Sequence, residues 1–292
     1  MPYARNSLTS STCRSWSSPQ EGLAGNPRAL QFVEAALDQG ADVMGGAHGF
    51  DRGVTNAEHL ERCFDLAVGH DVDLDLHIDF DATPDWAWDR WDLHHVVRLT
   101  EQHGWQGRVT VAHLTQHGQL PEARRREMVD MLLEHDIGLV VVPGAELNTA
   151  RAWAPESPCR HVVDATADWP ALIEAGVPLA YAGGHLADAF HPHGEGDLLR
   201  DGLVLAASRN LGDPIVGGCH VLTMGTNHAA RCVGNTGPYG PAVGASADLI
   251  VLDAVSGDAA LRRQADRWLV IHRGKPVAST RTTRQLLDNG AL

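Results

Sequence analysis

Apolar residues along this chain follow two periods that take turns. From Asn26 a helical stripe of Leu30, Val33 and Leu37 is opened by Asn26-Pro27, a cap and a first-turn proline, and stopped at Gly40. Asp42-Val43-Met44-Gly45-Gly46 then reads as a short strand. Thr55-Asn56-Ala57-Glu58 is a capping box that starts a second helix, with Leu60, Phe64 and Ala67 facing inward. Residues 72–77 and 108–113 read as strands, and each run ends on a histidine, His77 and His113. Between them lies a loop and helix bearing Trp86, Trp88 and Trp91, which read as packing residues, Trp86 and Trp88 alternatively as part of a lid. A helix over 121–135 carries Met128, Met131 and Leu132 on its apolar face. Residues 137–142 are almost purely apolar, as a strand covered on both faces should be. Leu172 and Ile173 belong to a short helix closed by Gly176, followed by a strand over 177–181 and a helix carrying Leu198, Leu199, Leu203 and Val204. From Gly225 onward turns give way to strand-like runs over 248–252, 268–272 and 276–279.

Strands alternating with helices predict an α/β chain of βα units, with both histidines at the carboxyl ends of neighbouring strands. In a (β/α) barrel that edge carries the chemistry, because the loops above it converge on one mouth. Two imidazoles there suit a shared metal ion and substrate. The alternative is two unrelated histidines that merely cap their strands.

Composition narrows the partners. The 292 residues contain 23 Lys+Arg against 37 Asp+Glu, a formal net charge of -14, with no basic block. That argues against nucleic acid or an anionic membrane surface as partner. No apolar stretch reaches the length of a membrane span, and residues 1–20 lack the apolar core of a signal peptide. Cys13, Cys63, Cys159, Cys219 and Cys232 are scattered without a C-x-x-C pair, which fits a reducing cytoplasm. Among 17 histidines, the His191-Pro192-His193 pair falls in a loop and reads as solvated rather than metal-binding.

Five segments carry a more specific likeness: Pro19-Gln20-Glu21-Gly22, Gly40-Ala41-Asp42-Val43, His77-Ile78-Asp79, Val109-Thr110-Val111-Ala112-His113, and the run from Gly244 through Leu252. In order and spacing they resemble the cytosine deaminase branch of the amidohydrolase superfamily, over about residues 18–280. The resemblance implies a TIM-type (β/α) barrel of the metal-dependent hydrolase kind, with a small flanking β-sandwich. It implies a divalent metal, iron or zinc, and hydrolysis of non-peptide C–N bonds in a pyrimidine-like ring. It gives His77 the role of metal ligand, His113 that of orienting water or substrate, and Gln20 that of a substrate amide able to donate and accept side by side.

The likeness also has gaps. Only five strands are clear, with a doubtful one before Gln20, where such a barrel needs eight. The first two βα units and half of the sandwich are expected to be missing. The expected organisation is an irregular 1–17, a partial barrel over 18–225 and a sandwich remnant over 226–292. Phe80 stands where the resemblance expects a carboxylate proton shuttle, and phenylalanine carries no proton. Gly183-Gly184-His185-Leu186-Ala187-Asp188 stands where it expects a ligand aspartate. Asp188 is the nearest catalytic carboxylate, with Asp79 and Asp81 flanking Phe80 as substitutes that would need the loop to move. Residues 11–18 have neither the apolar face nor the β-branched content of a buried strand, and the residues before Ser18 read as out-of-frame translation.

Three functions follow as expectations. One is a cytosine-deaminase-like hydrolase with a degenerate site, and another an inactive remnant that binds a heterocycle through Gln20 and His113. The third is an N-acyl or N-alkyl amidohydrolase of the same superfamily. Open sheet edges predict a homo-oligomer or poor solubility.

Overall fold

A computed structural model of the protein describes residues 14–19, 22–79, 87–114, 117, 120–153, 169–208, 220–235 and 237–283. Six strands form one sheet in chain order: β1 (Trp16–Ser17), β2 (Val43–Ala47), β3 (Asp73–Ile78), β4 (Val109–His113), β5 (Gly138–Val141) and β6 (Leu179–Tyr181). A second sheet holds β7 (Leu249–Leu252), β8 (Arg267–His272) and β9 (Lys275–Ala278), paired antiparallel. The helices are α1 (Pro27–Asp38), α2 (Asn56–His70), α3 (Asp92–His103), α4 (Glu122–Glu134), α5 (Pro143–Trp153), α6 (Trp169–Glu174), α7 (Leu198–Ser208), α8 (Ala229–Cys232) and α9 (Gly257–Arg263). A sheet whose successive strands are joined through helices is a partial (β/α) barrel. Among the described residues no helix is long and apolar enough to cross a membrane. The chain divides into two compact units, residues 1–139 with 165–177 and residues 140–164 with 178–292.

In the first unit, β1 to β4 pair parallel, with Val43↔Asp73, Gly45↔Asp75, Ala47↔His77 and Asp75↔Thr110 among the partners. The helix signals work as their chemistry requires. Asn26 accepts the Ala29 N–H at 3.2 Å, and Thr55 and Glu58 satisfy each other's backbone reciprocally at the start of α2. Leu74, Leu76 and Ile78 are fully buried on one face of β3, while Asp73, Asp75 and His77 lie half-buried on the other. Gly45 and Gly46 let β2 pass close neighbours on both faces. A Cβ on Gly46 would stand 2.7 Å from the Cys63 Sγ of α2, and one on Gly45 would stand 2.7 Å from the Ser18 Cβ.

Several expected boundaries shift. The strand read at 72–77 runs one residue later, and that read at 177–181 shrinks to three, because Val177 still donates to Leu172 at the end of α6 and Pro178 has no N–H. The segment read as irregular, 1–17, contains β1: Trp16 pairs with Val43 and Ser17 with Met44. Side chains rather than β-propensity hold it. Arg14 bonds the Asp42 carbonyl at 2.9 Å and the Asp73 carboxylate at 2.7 Å, and Ser15 bonds the Asp42 carboxylate through both its N–H and its hydroxyl.

In the second unit, Glu146 in the first turn of α5 accepts the Val142 N–H at 3.0 Å. The turns expected from Gly225 begin later, since a π-helical turn over Met224–His228 runs on into α8. The short α9, capped by Ser256, had no expectation.

Candidate functional site

The parallel register pairs His113 with Ile78, a residue of the buried face, so strand alternation would aim His113 away from His77. The backbone prevents this. His113 has φ +84° and Leu114 φ +46°, two successive non-glycine residues in the left-handed region at the carboxyl end of β4. The His113 ring is thereby brought to His77, Nε2 to Nδ1 at 2.9 Å with ring centroids 4.9 Å apart. Such a bond needs one nitrogen protonated and the other with a free lone pair. The two strand-end histidines therefore meet at the edge where the sequence placed them.

Asp75, two residues before His77 on the same face, was missed as a site residue. Its Oδ2 accepts the Trp16 indole N–H at 3.0 Å. Burial pushes its pKa up to about 6, against the Trp16 bond and the field of His113. Period-two alternation from His77 would have found it.

Asp79, weighed as a substitute for the missing shuttle, is committed elsewhere. It is wholly buried and accepts the N–H groups of Asp92 at 2.9 Å and Leu93 at 3.1 Å, capping α3. Burial, helped by the nearby Asp92, raises its pKa to about 7 against those two bonds. Asp92 in turn takes His48 at 2.9 Å and the Asn56 amide at 3.0 Å. Trp91 is buried against Leu120 with Trp88 beside it, in keeping with a packing role. Gln20, Phe80, Asp81 and Trp86 lie outside the described residues.

Asp188 belongs to the second unit, where its carboxylate organises its own loop. Oδ2 holds His185 Nδ1 at 2.7 Å, and Oδ1 accepts the N–H groups of Phe190 at 2.9 Å and His191 at 3.0 Å. Although desolvation opposes it, these bonds keep the carboxyl below its usual pKa, as suits an anion rather than a proton carrier. The expectation of a solvated His191 is overturned. It is only 9% exposed, with its ring where a Cβ on Gly144 would otherwise sit. Nothing in the sequence distinguishes it from the exposed His193 two residues on.

A divalent metal can be tested against these donors. The His77 and His113 nitrogens bond to each other, and among the described residues no group of three or more His, Cys, Asp or Glu is placed to hold a metal ion. Catalytic sites usually supply three protein ligands. The described donor set does not fit a resident catalytic metal.

The architecture is a partial (β/α) barrel with histidines at adjacent strand ends, and the likenesses to known proteins agree with that fold. The chain is similar in sequence to a curated amidohydrolase and in fold to solved deaminases. It is 29% identical over 262 residues, 88% of its length, to N-isopropylammelide isopropyl amidohydrolase of Pseudomonas sp. (strain ADP). The 5-methylcytosine deaminase of Klebsiella pneumoniae, solved with 5-fluorocytosine, superposes with a TM-score of 0.79 at 24% identity over 94% of this chain. An adenosine deaminase of Xanthomonas campestris with bound zinc gives a TM-score of 0.61 at 19% identity over 89% of this chain. The chain spans 58%, 64% and 59% of these three proteins' own lengths. No family model matches it.

Proposed function

We propose that this chain binds a small nitrogen heterocycle at the His77–His113 edge, and that its site for hydrolysing a non-peptide C–N bond is degenerate. The observation that carries the reading is the meeting of these two imidazoles at 2.9 Å, achieved through two left-handed residues. Backbone strain of this kind costs on the order of 1–3 kcal/mol and persists where the surroundings impose it, often at functional sites. The similar proteins, an N-isopropylammelide isopropyl amidohydrolase and a 5-methylcytosine deaminase, support a ring bearing an amino or alkylamino substituent.

In this reading His113 orients the ring or a water, Gln20 reads its donor–acceptor edge, and His77 is a single ligand toward iron or zinc. Asp188 has both its oxygens engaged within its own loop. Two departures weaken turnover: the described ligands fall short of a catalytic set, and Phe80 replaces a proton carrier.

Metal analysis of the full chain tests the degeneracy. Zinc or iron should bind substoichiometrically after dialysis, and His77→Ala should abolish what remains. Tight one-to-one metal together with rapid amine release from cytosine would overturn it. The second reading, a remnant without any turnover, is favoured by the imidazoles bonding each other. It predicts no amine release above the blank even with added metal.

A further inference from the structure

The half-open face of β3 carries two carboxylates below His77, and the chain treats them differently. Asp73 is neutralised twice, by Arg14 at 2.7 Å and by Arg108 Nε at 2.8 Å. Among the described residues Asp75 has no arginine or lysine paired with it. Among the described residues its one hydrogen bond is the neutral Trp16 indole N–H at 3.0 Å, accepted by Oδ2, which leaves Oδ1 as a bare acceptor.

The geometry that joins Trp16 to Asp75 is specific. Trp16 stands on β1 in register with Val43, whereas Asp75 stands on β3 in register with Gly45, so the indole must cross β2 to reach it. At the level of Asp75, β2 carries Gly45, which has no side chain. The indole remains 43% exposed, an aromatic plate beside the carboxylate rather than a residue sunk in the core. An aromatic plate offers a ring a face to stack on, and a carboxylate oxygen offers its edge an acceptor.

We propose that Trp16 and Asp75 form the floor of the heterocycle site, Trp16 as the stacking surface and Asp75 Oδ1 as the acceptor that selects a ring with an exocyclic amino donor. The inference rests on the reading of the His77–His113 edge as a heterocycle site. It adds the direction of selectivity. A ring presenting an amino group bonds the carboxylate, while a ring with a carbonyl in place of that amino group, as in uracil, sets oxygen against oxygen. A site built on a polar partner rejects the analogue that leaves it unpaired.

Calorimetric titration of the full chain with cytosine and with uracil separates the cases. Cytosine should bind about 10- to 100-fold more tightly, the usual worth of a hydrogen bond to a charged group. Asp75→Asn, nearly isosteric, should bring the two within about threefold, because an amide can donate to the uracil carbonyl as well as accept. Trp16→Phe keeps a stacking ring and loses the N–H, so it should retain the preference. Trp16→Leu should weaken both ligands about tenfold, as removal of a stacking partner does. Near-ultraviolet circular dichroism confirms that each variant is folded. Cytosine bound with its preference intact in Asp75→Asn overturns the floor and leaves the site reading standing. Binding of neither ring by the native chain overturns both.

Discussion

His113 reaches His77 because two residues abandon the strand conformation, and the fact that a histidine ends each strand was plain in the sequence. The identity and spacing of the pair were legible; their approach was not, since period-two alternation aims His113 to the other face. A similar local effect makes His59 a pH sensor of stability. Its ring is fully buried, with Nδ1 2.7 Å from Asp51 and Nε2 3.4 Å from the Cys63 Sγ. Burial lowers its pKa from 6.5, with Asp51 opposing only in part. The unfolded imidazole, at about 6.5, therefore takes a proton first. Stability from the neutral ring is complete above that pH and is lost as pH falls below it. Buried Asp75 and Asp79, raised to about 6 and about 7, act in the opposite sense, so the His59 contribution is read as a difference. The urea midpoint of the native chain relative to His59→Gln should be level between pH 7 and 8 and fall toward pH 5.5. A difference that stays constant with pH would place the sensitivity elsewhere. Phe80 gives the complementary catalytic test. With metal bound, Phe80→Glu should raise any amine release by about 10²–10⁴-fold, the worth of a placed general acid or base. No rise would make the missing ligands the limiting defect.

Helices were read from their ends and strands from their middles, and both readings have a physical basis. Asn26-Pro27 and Thr55-x-x-Glu58 were visible because capping is local chemistry. Thr55→Ala should cost about 1 kcal/mol in chemical denaturation. β1 was not legible, because it is held by Arg14, Ser15 and Trp16 reaching aspartates 27 to 59 residues away, and no local propensity encodes such pairings. α5 was obscured for a related reason: its start is secured by Glu146 reaching back to Val142 rather than by a cap residue. The packing of α2 on β2 makes a sharper prediction. Gly46→Ala should destabilise by about 1–3 kcal/mol, since its Cβ would meet Cys63 Sγ at 2.7 Å. Adding Cys63→Ala should recover part of that loss as a non-additive coupling. Strict additivity would show that the contact does not set the spacing.

At the scale of the molecule, β1 and β6 each have one neighbour among the described strands, and terminal strands carry unpaired backbone groups. Concentration-dependent self-association in sedimentation velocity is the expected outcome, tempered by the net charge of -14 and by the brevity of β1. A monomer at all concentrations would show that these edges are covered. The whole account turns on one point, that the His77–His113 edge is where a heterocycle binds. Its most direct test is to titrate cytosine into the full chain while following the imidazole resonances by heteronuclear magnetic resonance, assigned with His77→Ala and His113→Ala. Both imidazoles should shift along one saturating curve, and either substitution should weaken binding about tenfold or more, the loss of a hydrogen bond to the ring. Saturable binding that leaves both resonances unmoved, or no binding at all, would contradict it.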